Sequence, residues 1–438
     1  MSGWTTKKLG EIGTIVRGKG IRRSETISKG MPCIRYGEIY TSYDILLDEP
    51  HSFVAKEIFD ACPHIKHGDV VFTLTGENKE EIAKTLAYLG DEEIAAGGDL
   101  AIWKGHGFNA KFLAYVMNSP QLLKAKALAS NGDIIVHASL KKMAEIPIPI
   151  PPLAEQKRIV AKIDAAFEKI DRLKANAEKN LANAKELFQS ALDEAMCPKK
   201  GWAEKRLGEV ANVRVGPFGS SLHKADYVEA GVPLVNPCHM KSSRIAEDIS
   251  TQVSYEKANE LNDYRLSTED IVFARRGEIG RLAFVSEREN GYLCGTGSLF
   301  ARFIEKFDIR FLYYSFSSPE FVRRLEKLST GTTMKSINSS ALESMVFFSP
   351  PIAEQQKISK RLDLLSQKIE ALQQNYARQI ADCAEMRQAI LREAFEGRML
   401  TRRDALQNLA GSWIDSRATD EIAKDIERHR TAGRRVEL

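Results

Sequence analysis

The sequence has no long apolar segment and few cysteines, and both features restrict the class of protein. No apolar run reaches the roughly eighteen residues that a membrane-spanning helix needs, and the first residues contain no signal-peptide core. We therefore expect a cytoplasmic protein that makes no contact with a membrane. The six cysteines are scattered without paired spacing, which predicts free thiols rather than a disulfide framework or a zinc ribbon.

Motifs for catalysis and cofactor binding are missing as well. The chain has no Gly-x-x-x-x-Gly-Lys-Ser/Thr phosphate loop, and Gly-Lys-Gly at 18–20 lacks the third glycine of a dinucleotide site. His64 and His67 are three residues apart, whereas a metal pair on one helix face is spaced i and i+4. Asn-Pro-Cys-His at 236–239 lacks the second proline and the aromatic residue of an amino-methyltransferase loop. We predict no catalytic, cofactor or metal site on this chain.

Glycine and proline are absent from two long stretches, 154–196 and 353–395. Each follows a proline pair, which suits the first turn of a helix but not its interior. Each stretch therefore predicts one helix of about 43 residues, or roughly 65 Å. In both, apolar residues alternate at spacings of three and four, as in a coiled coil. They are Ile159, Ile163, Ala166, Ile170, Leu173, Ala177, Leu181 and Ala184 in the first stretch, and Ile358, Leu362, Leu365, Ile369, Leu372, Tyr376, Ile380 and Cys383 in the second.

The two long helices are predicted to pair with each other as an antiparallel coiled coil. A narrow apolar seam between charged residues fits a two-helix rod better than a helix that packs only on its own domain. Because each helix leaves one globular segment and delivers the chain to the next, we expect the rod to act as a spacer.

The proline pairs belong to a repeat that covers most of the chain. Pro151 and Pro350 are 350 − 151 = 199 residues apart, and the copies align at this offset from Phe108 and Phe307 onward. Short strand-like runs and a few helices predict an α+β fold for each globular copy. We divide the chain into a first domain at 1–150, a first long helix at 151–197, a second domain at 198–349, a second long helix at 350–397 and a basic tail at 398–438.

The copies share apolar runs, glycines and the helix seam, but not the polar residues of their loops. A scaffold that was duplicated to recognise two different targets has this pattern. Neutral drift of surface loops predicts the same pattern, so the internal comparison leaves both explanations open. The net charge of +4 permits a polyanionic partner without requiring one.

As a set, these features resemble the specificity subunit of type I restriction-modification enzymes. The resemblance rests on the two Gly-Trp…Leu-Gly-Glu openings, on Gly-Pro-Phe-Gly-Ser-Ser at 216–221, and on Pro-Pro-Leu/Ile-Ala-Glu-Gln before both long helices. It implies two target-recognition domains, each reading one half of a split, asymmetric DNA sequence. It also implies that this chain is not catalytic, that its helices space the domains and bind two methylation subunits, and that restriction subunits join the full complex. S-adenosylmethionine and ATP are then expected on partner subunits.

Readout of double-stranded DNA needs donors and acceptors on loops that enter a groove, with basic residues nearby for the phosphates. We predict these contacts from the polar loops of both domains. The candidates in the first domain are Lys19, Arg22, Arg23, Arg35, Thr73, Thr75, Asn78, Lys79, Asn131 and His137. The candidates in the second are Ser220, Ser221, His223, Lys224, Asn236, Lys241, Arg275, Arg276, Thr332, Thr333, Lys335 and Asn338.

Two alternative functions belong to other classes of protein. A stand-alone DNA methyltransferase or nuclease would carry its own chemistry, and such a methyltransferase would bind S-adenosylmethionine by itself. A coiled-coil adaptor without DNA binding would ignore DNA at any salt concentration.

Overall fold

A computed structural model describes residues 4–132, 135–241, 243–246, 249–331 and 335–395, and for Ser220 only the backbone. The predicted tail at 398–438 and the candidates Thr332 and Thr333 lie outside the described residues. The chain divides into two compact units. Unit 1 comprises residues 1–175 and 380–438, and unit 2 comprises residues 176–379.

Unit 1 contains a mixed domain of strands and helices. Its strands are β1 (Thr5–Lys8), β2 (Thr14–Arg17), β3 (Met31–Ile34), β4 (Leu46–Leu47), β5 (Ser52–Val54), β6 (His64–Ile65), β7 (Val70–Thr73), β8 (Thr75–Gly76), β9 (Thr85–Tyr88), β10 (Ile94–Ala96), β11 (Leu100–Lys104), β12 (Ser130–Asn131), β13 (Val136–Ala138) and β14 (Pro147–Ile150). Its α-helices are α1 (Tyr36–Thr41), α2 (Lys56–Asp60), α3 (Ala110–Met117), α4 (Pro120–Leu128), α5 (Leu140–Ala144) and the first part of α6 (Leu153–Met196). Short 3-10 helices cover Leu9–Glu11 and Arg23–Glu25.

The main sheet of unit 1 has the strand order β2-β11-β7-β9-β4 and is covered on both faces. Its neighbours are antiparallel except for β4 and β9, which run parallel. Successive strand residues point to opposite faces. Phe72 and Trp103 accordingly pack with Phe112 of α3, while Val71 and Ile102 pack into a second cluster. The apolar runs of the sequence are therefore central strands of this sheet.

Smaller sheets complete unit 1. One has the order β5-β3-β10-β6, in which β3 and β10 run parallel, and another has the order β12-β13-β8. Strand β1 pairs with β14, which leads directly into α6. The start of the domain and the start of the long helix are thereby held together.

Unit 2 repeats this plan with fewer residues in the main sheet. Its strands are β15 (Ala203–Arg206), β16 (Ala211–Val215), β17 (Tyr227–Val228), β18 (Val232–Val235), β19 (Met240–Lys241), β20 (Arg244–Ile245), β21 (Gln252–Val253), β22 (Ile271–Ala274), β23 (Leu282–Phe284), β24 (Leu293–Cys294), β25 (Ser298–Phe303) and β26 (Val346–Ser349). Its α-helices are α7 (Leu207–Val210), α8 (Tyr255–Glu260), α9 (Ile309–Ser317), α10 (Pro319–Lys327), α11 (Ser339–Glu343) and the first part of α12 (Ile352–Phe395). Short 3-10 helices cover Gly219–Ser221, Lys224–Asp226, Pro237–His239, Asn262–Tyr264 and Glu287–Glu289.

The main sheet of unit 2 has the order β16-β25-β22-β23 and is also covered on both faces. Phe273 and Leu299 pack with Phe311 of α9, while Val272 and Phe300 face a second cluster. A second sheet has the order β17-β21-β18-β24, and β15 pairs with β26 as β1 pairs with β14. The α+β prediction is confirmed in both units.

Helices α6 and α12 pack against each other in antiparallel fashion within each unit. In unit 1, Cys383 lies beside Ile170, and Arg387 lies over the ring of Phe167. The contacts thus advance along α12 as they go back along α6, which means that the two helices run in opposite directions. In unit 2, Leu192 and Leu362 share a cluster. The predicted coiled coil is confirmed.

One position of the predicted seam is exposed, and five others, Leu181, Ile358, Leu365, Leu372 and Ile380, are half-buried. Ile163, Ile170 and Ile369 are buried, but Leu173 is 39% exposed. Its place in the heptad pattern therefore does not bury it. Within the described ranges, no helix is long and apolar enough to cross a membrane.

Candidate nucleic-acid interface

In unit 1, a strand hairpin carries two of the predicted DNA contacts at the edge of the domain. Strands β12 and β13 form the hairpin, and β13 pairs with β8 so that His137 is opposite Thr75. The Nδ1 atom of His137 lies 3.2 Å from the Thr75 hydroxyl. His137 and Asn131 are exposed, and the side chain of Lys142 donates to the Asn131 amide oxygen at 3.2 Å. We call the described residues of these stretches, 130–132 and 135–138 in unit 1 and 329–331 and 335–337 in unit 2, the hairpin segments.

The hairpin segment of unit 2 has the same backbone arrangement. Ser336 forms bridges with Thr330 and with Arg276, and Ile337 donates its backbone N–H to the carbonyl of Arg275. In unit 1, Ala138 donates in the same way to the carbonyl of Leu74 at 2.8 Å. Arg276 therefore occupies the position of Thr75, and Arg275 that of Leu74. Lys335 is exposed in this segment.

A glycine-rich loop lies beside the central strands in each unit. A Cβ atom on Gly18 would lie 2.0 Å from the carbonyl oxygen of Gly97, and one on Gly216 would lie 2.0 Å from that of Gly295. No larger residue fits at either place, so both loops leave the sheet at equivalent points. The exposed predicted contacts on these loops are Lys19, Arg22 and Arg23 in unit 1 and His223 and Lys224 in unit 2, with Ser221 half-buried.

Two of the predicted contacts in unit 1 are buried, which corrects the prediction for them. Residues 73–77 look like a polar turn in the sequence, but Thr73 ends β7 and Thr75 belongs to β8. Thr73 is fully buried, and its hydroxyl lies 2.6 Å from that of Tyr40. Thr75 is 8% exposed and lies beneath His137. Neither can contact DNA without a change in the sheet.

Three other predicted contacts are engaged in local structure. Arg35 forms a two-point ion pair with Glu38, at 3.2 and 2.7 Å, at the start of α1. The amide oxygen of Asn78 accepts from the backbone of Glu81 at 2.8 Å. That of Asn338 accepts from the backbone of Ala341 at 2.8 Å and caps α11. Their best hydrogen-bonding atoms are already used, so we remove them from the candidate surface. Lys79, next to Asn78, is exposed.

Asn236 is also held by its own loop. Its backbone N–H donates to the Nδ1 atom of His239 at 3.0 Å, and its amide oxygen accepts from Gly297 at 3.4 Å. Burial lowers the pKa of His239, so its neutral ring can accept this hydrogen bond near neutral pH. Lys241, which follows on β19, is exposed. Of these two candidates, only Lys241 remains available for a partner.

Arg275 and Arg276 differ although they are adjacent. Arg276 is exposed, whereas Arg275 is half-buried with its Cζ atom 5.5 Å from the ring centroid of Phe218. Burial, and then the charge of Arg276, lower the pKa of the Arg275 guanidinium. Phe218 itself is 59% exposed and was missed among the predicted contacts. Its signal in the sequence is a single aromatic residue within a glycine- and serine-rich loop.

His64, which was considered as a metal ligand from the sequence, is engaged by its neighbours in the structure. The part of the chain that the structure describes contains no group of three or more histidine, cysteine or acidic side chains that could hold a metal ion. The Nδ1 atom of His64 lies 3.1 Å from a carboxylate oxygen of Glu93, and its Nε2 atom donates to the carbonyl of Phe59 at 3.0 Å, so His64 is a local structural residue.

Both units therefore combine one scaffold with different polar surfaces, the arrangement expected of a protein with two tandem recognition domains. The family model described as "Type I restriction modification DNA specificity domain" matches residues 1–182 and 199–378. The chain belongs to this family, and it is a DNA sequence-recognition subunit with two specificity domains.

Individual relatives and solved structures agree with the family. The specificity subunit of the type I restriction enzyme StySPI from Salmonella potsdam is 24% identical over 434 residues, covering 91% of this chain and 89% of the relative. A solved structure that describes complex assembly and conformational transition of the type I R-M system has a TM-score of 0.71 and 20% identity, and the match covers 91% of this chain and 99% of that one. The HsdS subunit from Thermoanaerobacter tengcongensis has a TM-score of 0.52 and 20% identity, and the match covers 91% of this chain and 97% of that one. At these identities the two structures support the fold alone.

Proposed function

We propose that the globular parts of the two units, 1–150 and 198–349, each read one half of a split, asymmetric site on double-stranded DNA. One observation carries this proposal: the hairpin segments have the same backbone pairing but present different side chains. His137 in unit 1 corresponds to Ser336 in unit 2, and Leu74 corresponds to Arg275. A common scaffold with different hydrogen-bonding groups suits two different base sequences.

The surface proposed for DNA is smaller than the sequence alone predicts. In unit 1 it comprises Lys19, Arg22, Arg23, Lys79, Asn131 and His137, and in unit 2 Ser221, His223, Lys224, Lys241, Arg275, Arg276 and Lys335. The half-buried Ser336 is added in unit 2 because it occupies the position of His137. Exposed lysines and arginines are suited to phosphate contacts. The histidine, asparagine and serine side chains can donate to or accept from base edges.

The proposal extends to partner subunits. We assign no catalytic role to this chain, and place methyl transfer with S-adenosylmethionine, and ATP use, on separate subunits in the cytoplasm. The paired helices α6 and α12 would space the two domains and bind two methylation subunits, to which restriction subunits add in the full complex. The duplicated helix surface supports two copies of the same partner, because equivalent surfaces bind equivalent subunits.

The test is methylation mapping in cells that carry this chain together with its methylation subunits. Replacing His137 with Ala should relax the sequence requirement in one half-site by about 1–3 kcal/mol if the imidazole reads a base. The matched variant Ser336→Ala should change only the other half-site. A purified chain that methylates or cleaves DNA alone would support the stand-alone enzyme instead. If both variants altered the same half-site, the assignment of one half-site to each unit would be wrong.

A further inference from the structure

The backbone of Arg275 is held from two sides. Its N–H donates to the carbonyl of Gly297 at 2.9 Å, and its carbonyl accepts from Ile337 at 3.0 Å. One contact comes from the glycine-containing loop before β25 and the other from the hairpin segment. The Cα atom of Arg275 is therefore set by the fold, and only its side chain can adjust to a ligand.

The guanidinium of Arg275 is buried in part without a hydrogen-bonding partner. Its Nε and Nη1 atoms are inaccessible to water and donate to no acceptor among the described residues. Other arginines of unit 2 are used differently: Arg302 pairs with Asp270 at 2.7 Å, and Arg265 donates to the carbonyl of Gly291 at 2.9 Å. A buried donor without an acceptor costs free energy, so this arrangement calls for an explanation other than folding.

Phe218 accounts for the position of the guanidinium. The ring lies at 5.5 Å from Cζ, a distance at which an arginine is attracted to an aromatic face. The equivalent positions in unit 1 have neither partner: Gly20 takes the place of Phe218, and Leu74, which is 4% exposed, takes that of Arg275. The arginine and the ring are therefore present together in one unit and absent together from the other.

We propose that Arg275 reads a guanine in the half-site of unit 2, and that Phe218 is a positioning residue that keeps the guanidinium unpaired and oriented for that base. This inference rests on the function proposed above. Guanine presents two acceptors, O6 and N7, in the major groove, and they match the planar fork of an arginine. Arg276, the next residue in the chain, is exposed and could contact a phosphate equally well. A fixed backbone and a guanidinium held beside the Phe218 ring favour a base edge, because readout needs one orientation.

The experiment selects duplexes from a sequence-randomised library with the complex of this chain and its methylation subunits, at several salt concentrations. Arg275→Leu introduces the residue that unit 1 carries at this position, so we expect the fold to accommodate it. Arg275→Lys keeps the charge. Both should reduce the preference for guanine at one base pair by about 10- to 100-fold and leave the half-site of unit 1 unchanged.

Two further variants separate the roles. Phe218→Ala should weaken discrimination at the same base pair by less, about 3- to 10-fold, because the arginine remains but is no longer held. Arg276→Ala, the matched control, should lower the affinity for all sequences alike. It should also reduce the salt dependence of binding by the amount expected for about one lost phosphate contact.

The outcomes distinguish this inference from the proposed function. Uniform loss of affinity in Arg275→Leu, or an effect of Phe218→Ala at a different base pair, would overturn the roles given to these residues while the two half-sites remain. An unaltered complex that selects no sequence would instead contradict the proposed function itself. Hydrogen exchange in β22 and β25 must match the unaltered chain, since a partly unfolded unit 2 would lose its entire half-site rather than one base pair.

Discussion

The two units attach their domains to the long helices with the same contacts, yet they differ on the surfaces proposed to contact DNA. Gln156 and Gln355 are both buried, and each accepts from the backbone N–H of the residue before a domain helix, at 2.9 Å in both cases. Each also donates to the carbonyl of a proline, Pro151 at 2.9 Å and Pro350 at 2.8 Å. This pairing explains the repeated Pro-Pro-x-Ala-Glu-Gln sequence: the glutamine links the start of the long helix to its domain.

A second contact between the long helix and its domain is repeated in both units, about two helical turns beyond the glutamine. The hydroxyl of Tyr115 donates to Asp164 at 2.5 Å, and that of Tyr314 donates to Asp363 at 2.8 Å. The cations beside these carboxylates differ only in type, lysine in unit 1 and arginine in unit 2. Residues that join helix and domain are thus retained, whereas residues on the hairpin segments are exchanged.

Some differences lie inside the units. Lys126 of α4 is fully buried, and its ammonium donates to the carbonyl of Ala83 at 2.7 Å. The equivalent residue in unit 2, 126 + 199 = 325, is the buried Leu325. Arg387 of α12 lies over Phe167 and pairs with Asp171 at 2.6 Å, while residue 188, at the equivalent place in α6, is phenylalanine. The scaffold therefore accommodates different side chains at equivalent positions inside the two units.

The largest effect is expected from breaking the shared contact. Gln156→Leu leaves a backbone N–H and a carbonyl without their buried partner, which should lower the free energy of opening of unit 1 by roughly 2–5 kcal/mol. Gln355→Leu should cost unit 2 a similar amount. Hydrogen-exchange mass spectrometry reports each unit separately, which matters because a chain with two units need not unfold in one step. A large cost in one unit only would show that the two attachments are not equivalent.

A smaller effect, of opposite sign, is expected when unit 1 is made to resemble unit 2. Burial lowers the pKa of Lys126 from its ordinary value of 10.5 to about 7. Between these values the unfolded chain binds the extra proton, so the penalty of the buried ammonium is greatest below about pH 7 and disappears as pH rises towards 10.5. Lys126→Leu should therefore stabilise unit 1 by roughly 2–4 kcal/mol at low pH, and by progressively less at higher pH.

The carbonyl of Ala83 also accepts from the Thr85 hydroxyl at 2.9 Å, so the substitution does not leave it without a donor. Urea unfolding at about pH 6 and about pH 10, followed by hydrogen exchange in unit 1, measures the difference. Lys124→Leu, in the same helix but at an exposed position, is the control and should not alter the pH dependence. Equal stabilisation by Lys126→Leu at both pH values would contradict a buried, proton-releasing lysine.

The smallest effect concerns the ion pairs of Arg387. This arginine is 22% exposed and bonds Asp44 as well as Asp171, whose side chains are 62% and 55% exposed. Arg387→Met keeps much of the packing on Phe167 and returns both carboxylates to water, so the loss should be about 1 kcal/mol and smaller at high salt. Arg392→Met, at an exposed position of the same helix, should have no effect. A loss that is independent of salt would assign the role of Arg387 to packing rather than to charge.

The fold was accessible from the sequence because its signals are local or repeated. Uninterrupted stretches without glycine or proline predict α6 and α12 to within a residue at each end, and the spacing of 199 residues predicts matching domains. The heptad pattern was wrong only in detail, at the exposed Leu173. The candidate surface was less predictable, since Thr73 and His137 are both polar residues of apparent loops, and only one of them is exposed.

The sequence by itself determined the long helices, because composition and periodicity act within one or two helical turns and need no distant partner. It also determined the duplication and the family, because repeated motifs are read directly from the order of residues. Tertiary structure decided which polar groups are free. Thr73 is engaged by Tyr40, Asn236 accepts from Gly297, and Arg275 lies beside the ring of Phe218, 57 residues earlier in the chain (275 − 218). A side chain's availability depends on what the fold places beside it, and residues far apart in sequence carry no local mark of that contact.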